Sequence, residues 1–334
     1  MAKERIAYID VAKGLAIWLM VIGHLDISEQ IRVYIYSFHM PLFFIVSGMF
    51  FKRDRSFIMN LNSSLRSVLW PYLSFSVINL SICWISPYLH PELYYDLHGI
   101  EVFYAAVKGI FIGTDYITPN SFMPLGALWF LVSLFTIQVL TSAISALVRN
   151  NKLFLFIALF IPIVLFLVIR TNIPFSVRSS MMAIPFYCIG YIMRNMDIPN
   201  LPYKGYLFII LALFFIFVIP LNGFCSIDEC IYGKSLLLFY INAVISTLMV
   251  LIACSYIVGK RISRFIELIG QHTLTILGVH TFPMIVMKVA GVSLWGSAVL
   301  SSLSFILLVS TIVIIVSYIM GQIISKYIPY ILRI

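Results

Sequence analysis

Long apolar runs separated by short polar connections dominate this chain. About twenty consecutive apolar residues cross a bilayer as one helix. Ten runs reach or approach that length: 6–26, 33–51, 67–86, 126–148, 153–170, 178–194, 205–221, 236–258, 270–290 and 297–321. Each is predicted to be a transmembrane helix. Pro162 interrupts the fifth run and Pro185 the sixth, although membrane helices tolerate proline better than soluble ones. The polar opening Met1-Ala-Lys-Glu-Arg5 leads into the first run without a small-residue cleavage signature. That run therefore reads as a retained span and not as a secretory leader.

The connections orient the bundle, because cytoplasmic loops collect Lys and Arg. With the N-terminus in the cytoplasm, fifteen Lys and Arg fall inside, against six outside (Arg32, Lys108, Arg170, Arg178, Lys234 and Lys288). That bias predicts an even number of spans with both termini cytoplasmic. The expected fold is all-α, a polytopic membrane protein of about ten transmembrane helices. Composition agrees: 62% of the 334 residues are hydrophobic and 10% charged, where soluble domains carry about 25% charged residues. The net charge of +9 follows from the positive inner face, so it gives no reason to expect nucleic acid as a partner; the expected surroundings are a lipid bilayer. The longest connection, 87–125, falls outside and holds Pro87, Pro91, Pro119, Pro124, two histidines and several aromatics. External loops of that length are uncommon unless functional. Within it, 100–112 has the pattern of a short interfacial helix.

Of five cysteines, Cys83, Cys188 and Cys254 stand alone in apolar segments, as small core residues do. Cys225 and Cys230 share one loop with no histidine beside them, so no metal is expected there. A disulfide is open to them if that loop lies outside the cell.

Polar residues inside apolar helices are costly, and they are the first functional candidates. Asp10, Lys13 and His24 lie within the first run. Lys13 and His24 are eleven residues apart, three helical turns, which puts them on one stripe about 16 Å apart along the axis. A cation and an acid/base group so arranged suit a long anionic ligand with a reactive end. Asp10 and Lys13 are three apart and can pair on the helix surface, either as a structural ion pair or with Lys13 meeting a phosphate. Of thirteen acidic residues only Asp10 lies clearly inside a predicted helix, so acid/base work falls to histidine. His39 lies near the outer start of the second helix, in Phe38-His39-Met40-Pro41, and can sit at the depth of His24. His280 lies in the middle of the ninth, in Leu277-Gly278-Val279-His280. Each histidine can equally serve only to hold neighbouring helices together. Trp129, at the outer end of the fourth helix, offers a face for a sugar ring, though a lone interfacial Trp is also a common anchor.

The chain resembles the acyltransferase-3 family of integral membrane acyltransferases, especially its fucose-4-O-acetylase-like branch. The resemblance rests on Asp10, Lys13-Gly14 and His24 in the first helix, with Lys where the family usually carries Arg. Phe38 to Phe44 with Ser47-Gly48, Arg66 with Pro71-Tyr72, and Leu128 to Leu131 resemble its second, third and fourth helices. Ile269-Gly270 and His272-Thr273-Leu274 followed by His280 resemble its late segment.

The resemblance implies one membrane domain over 1–334 that moves an acyl group, usually acetyl, from cytoplasmic acetyl-CoA to a carbohydrate hydroxyl. The acceptor would be a cell-surface polysaccharide or its lipid-linked precursor, in the inner membrane of a bacterium. His24 would act as general base or as a covalent acetyl carrier, with His39 and Asp10 in support. Lys13 and Arg66 would bind CoA phosphates, and Trp129 and His280 would bind acceptor. Acetyl-CoA would be a co-substrate, and no metal is expected. Two alternatives are a transporter or flippase of a glycan precursor and an O-acyltransferase acting on a free metabolite.

Overall fold

The computed structural model describes residues 6–89, 100–113, 126–171 and 173–332. Among these the protein is all-helical apart from one isolated antiparallel bridge, Ser226 to Ile231. Part of the long external connection, including Pro91, Pro119, Pro124 and both of its histidines, lies outside the described residues, but 100–112 is helical as expected.

Every predicted run contains helix, and several are broken. The helices are α1 Ala7–Gly23, α2 Glu29–Tyr36, α3 His39–Met49, α4 Phe57–Ser64, α5 Trp70–Leu89, α6 Ile100–Ile112, α7 Trp129–Leu147, α8 Asn151–Val168 and α9 Val177–Met193. They continue with α10 Lys204–Phe217, α11 Ile219–Asn222, α12 Leu236–Ile257, α13 Arg261–Gln271, α14 Thr273–Val279, α15 Thr281–Trp295, α16 Leu303–Tyr327 and α17 Pro329–Leu332. Among the described residues six helical segments are long and apolar enough to cross a membrane, or seven if the bent pair α14 and α15 forms one span. The expected count was about ten. At 17 residues, α1 and α9 sit at the short limit for a bilayer. Pro162 and Pro185 do not interrupt their helices, which run through both positions.

The breaks have a common cause. Proline has no N–H for the carbonyl four residues before it and its ring crowds that turn. Pro41 stands four residues after Ser37, where α2 ends, and Phe38 leaves helical geometry at φ −141°. Pro283 stands four after Val279, and α14 and α15 meet there at a bend of 52°. Pro71 has the mildest effect: the chain widens into one π turn over Leu65–Leu69, and the Trp70 N–H reaches back to the Leu65 carbonyl. Side chains cap several helix starts, among them Ser28, Ser56, Asn150 and Ser235.

The chain divides into two compact units. The first comprises residues 1–51, 186–276 and 283–319, with Ile17, Met20, Leu42, Phe44, Phe186 and Phe239 among its buried side chains. Two helix crossings in it are built on glycine. A Cβ on Gly14 would lie 1.9 Å from the Ile266 carbonyl oxygen, and one on Gly270 would lie 1.7 Å from that of Asp10. The same reciprocity joins α3 to α9, where a Cβ on Gly48 would meet the Tyr187 carbonyl and one on Gly190 that of Ile45. With no side chain between them the backbones touch, the usual reason for small residues where membrane helices cross. The second unit comprises residues 52–185, 277–282 and 320–334. Tyr72, Phe75, Phe154 and Phe166 are fully buried in it, and the Tyr72 hydroxyl donates to the Ile110 carbonyl at 2.6 Å.

The Cys225–Cys230 loop belongs to the first unit. The buried Asn222 amide holds it, donating to the Tyr232 carbonyl at 2.8 Å and accepting from the Ser235 N–H at 2.8 Å. Both cysteines are thiols. Burial pushes the Cys225 thiol up to about 11, which suppresses the thiolate that would attack a disulfide or an alkylating agent. Iodoacetamide at neutral pH is therefore expected to label Cys225 far more slowly than a free thiol of ordinary pKa. Rapid labelling, followed by mass spectrometry, would contradict the buried setting.

Candidate active site

Helix α1 carries three of the candidates. Its first turn holds Asp10, where a carboxylate suits the positive end of the helix dipole. Lys13 Nζ lies 2.7 Å from Asp10 Oδ1, with the two side chains 25% and 9% exposed. The second Asp10 oxygen, Oδ2, is buried with no hydrogen-bond partner. An ammonium has three donors, and the Asp10 contact takes one of them. The pair sits directly at the glycine crossing with α13, since the backbone that Gly270 touches is that of Asp10 and Gly14. One to two turns further along, the Trp18 indole N–H donates to Ser310 Oγ at 3.2 Å, and its ring meets Phe265 edge-on. The Asp10 to Trp18 stretch of α1 is thus held by α13 and α16.

His24 lies at the C-cap of α1, not inside the helix as the 6–26 prediction had it. The helix stops there because the next helix needs the chain back: Leu25 to Ile27 form a tight turn and Ser28 caps α2. Lys13 to His24 is still a continuous helical path, so the spacing of about 16 Å stands. The half-buried His24 offers its main-chain carbonyl to Lys288 Nζ at 2.7 Å.

His39 joins the same end of α1 through Tyr36. The Tyr36 hydroxyl donates to the Gly23 carbonyl at 3.4 Å, and its ring meets the His39 ring edge-on with centroids 4.9 Å apart. His39 Nδ1 donates to the Ile35 carbonyl at 2.8 Å. A carbonyl only accepts, so Nδ1 carries the proton and Nε2 the lone pair in the neutral ring. His39 therefore does two things. It satisfies a carbonyl beside the Pro41 break, and it fixes its own tautomer.

His280 repeats this device in the second unit. It stands at the α14–α15 bend, not in the middle of a helix as expected, because Pro283 breaks the run. Its Nδ1 donates to the Leu277 carbonyl at 2.9 Å and its side chain is buried. Two residues earlier, Gly278 leaves room for the Phe75 ring, which a Cβ would meet at 2.4 Å. In the same unit Arg66 is exposed on the π turn, a feature frequent at functional sites. Trp129 is 6% exposed, the first residue of α7, with its ring edge-on to Phe130. So deep a position does not suit a lipid-facing anchor.

Asp10, Lys13, His24 and His39 thus belong to one unit, and Arg66, Trp129 and His280 to the other. Inspection of the sequence did not single out Tyr36, Lys288 or the amphipathic helix α13. Lys288 carried a usable signal: like Lys13, it is a charge inside an apolar run.

Residues 6–322 match the family model described as an acyltransferase domain, Acyl_transf_3. No curated protein and no solved structure matches the chain. The match spans both units and every candidate residue, and it favours acyl transfer over transport of a glycan precursor. The chain belongs to the acyltransferase-3 family and is a helical membrane acyltransferase.

Proposed function

We propose that this protein is an O-acetyltransferase that takes acetyl from cytoplasmic acetyl-CoA and places it on a hydroxyl of a cell-surface polysaccharide or its lipid-linked precursor. The observation that carries the reading is the length of α1: a cation paired at one end and a histidine held at the other, about 16 Å apart on one stripe. CoA is long and anionic, and its thioester lies far from its phosphates. In a ten-helix topology with both termini cytoplasmic, Lys13 falls in the inner half and His24 in the outer half.

In this reading Lys13 holds a CoA phosphate and Asp10 orients Lys13. His24 is the general base. It takes the proton of the acceptor hydroxyl as that oxygen attacks the thioester carbonyl carbon. The carbon–sulfur bond breaks, an ester forms, and the CoA thiolate leaves and recovers the proton from the imidazolium. His39, held in one tautomer beside the same end of α1, positions the base. The cell membrane of a bacterium is the setting that suits this chemistry.

The Lys13 assignment has its own test. Lys13→Met is expected to raise the KM for acetyl-CoA by about tenfold or more, with a smaller change in kcat, because the lost contact is charge-assisted. Lys13→Arg keeps the charge and the Asp10 pair and is expected to stay near the parent. An unchanged KM in the methionine variant would remove Lys13 from the CoA site.

A further inference from the structure

Two carbonyls at the last turn of α1 are taken by side chains from elsewhere in the chain. The last carbonyls of a helix have no partner within it, and both of these have been given one. Tyr36 of α2 donates to Gly23, and Lys288 of α15 donates to His24 across 264 residues of sequence. Lys288 is half-buried and lies within electrostatic reach of Asp26 and Arg32. A lysine at a helix C-terminus is favoured by the dipole, yet this lysine is recruited from a distant helix. Its ammonium contacts the main chain of the very residue that the proposed mechanism uses as base.

We infer that Lys288 is a positioning residue for His24: by holding the His24 carbonyl, assisted by Tyr36 on Gly23, it fixes the backbone from which the imidazole reaches the acceptor hydroxyl. This rests on the reading of His24 as general base. Without the clamp, α1 can fray at its final turn, where a cap residue is followed at once by a tight turn. A misplacement of the base by about 1 Å costs on the order of a hundredfold in rate.

The test uses the full chain in nanodiscs, labelled acetyl-CoA as donor, and surface polysaccharide stripped of O-acetyl by mild base as acceptor. Lys288→Met, which keeps the length of the stem but has no donor, is expected to lower kcat by about ten- to a hundredfold while the KM for acetyl-CoA stays within about twofold. Lys288→Arg, which still donates to the carbonyl, is expected to recover most of the loss. Melting temperatures of all variants are read in parallel. An unchanged kcat in Lys288→Met, a change in KM alone, no recovery with arginine, or a loss that merely follows a falling melting temperature would each overturn the inference. His24→Ala in the same assay separates the two levels. If it is as active as the parent, the base assignment falls and Lys288 with it. If it is inactive and Lys288→Met is not impaired, only the positioning role falls.

Discussion

His24→Ala is expected to reduce acyl transfer by about a hundred- to ten-thousandfold, the range that a general base contributes, without unfolding the protein. The substitution removes a half-buried imidazole at the end of α1 but keeps the carbonyl that Lys288 holds. The packing of α1 against α13 and α16 lies further along the helix and is untouched. The measurement is transfer of labelled acetyl from acetyl-CoA in membranes, with the amount of folded protein normalised by fluorescence-detected size exclusion. An active alanine variant would sink the assignment of His24, and His39 would be the next candidate because its tautomer leaves the lone pair on Nε2.

Gly270→Ala is expected to have the second large effect, and on the fold as much as on activity. The new Cβ would have to lie 1.7 Å from the Asp10 carbonyl oxygen and 2.9 Å from the Gly14 nitrogen. Both obstacles are backbone, so no side chain can swing away. The two helices must part by more than an ångström. Overpacking a core costs about 1–3 kcal/mol where side chains can yield, and this site has less freedom than that. Because the contact is at Asp10 itself, parting the helices also displaces the Asp10–Lys13 pair. The variant is therefore expected to show both a lower melting temperature and a weakened response to acetyl-CoA. Gly205→Ala is the control: its Cβ would meet only the Tyr256 hydroxyl at 3.6 Å, an ordinary contact. Equal melting temperatures for Gly270→Ala and the parent would contradict the crossing.

Both effects trace to motifs that the sequence shows plainly, but for different physical reasons. Lys13-Gly14, Ser47-Gly48 and Ile269-Gly270 look like one kind of signal in the sequence. Their glycines turn out to be the places where α1 meets α13 and α3 meets α9. The glycines of these motifs are thus a packing code for helix crossings. Apolar runs located nearly all of the helices because hydropathy over some twenty residues is a strong signal. It could not locate α13, an eleven-residue helix with charges on one face, nor α4, which extends the third run toward the N-terminus by nearly two turns before Ser64. The breaks before Pro41 and Pro283 were visible as prolines, but not their consequence, which is that His39 and His280 each cap a carbonyl beside a break. In the sequence Lys288 reads only as an outer charge. Its partner, a main-chain carbonyl 264 residues away, has no counterpart in any local pattern.

The ion pair on α1 shows why position decides function here. Asp10 and Lys13 neutralise one another, as two charges in an apolar helix must. Asp10 nevertheless keeps one oxygen buried without a donor, and Lys13 keeps a quarter of its side chain exposed. The proposed phosphate contact needs an accessible ammonium, which that exposure provides.

Acetyl transfer to a surface carbohydrate is read without an added acceptor by mass spectrometry of that carbohydrate. Surface glycan from cells with and without the gene would be compared, with complementation by the parent and by His24→Ala. Deletion is expected to remove the mass of an acetyl group from the glycan repeat, the parent chain to restore it, and His24→Ala to leave it missing. Identical glycan masses in the deletion and parent cells would contradict acetyl transfer to the glycan.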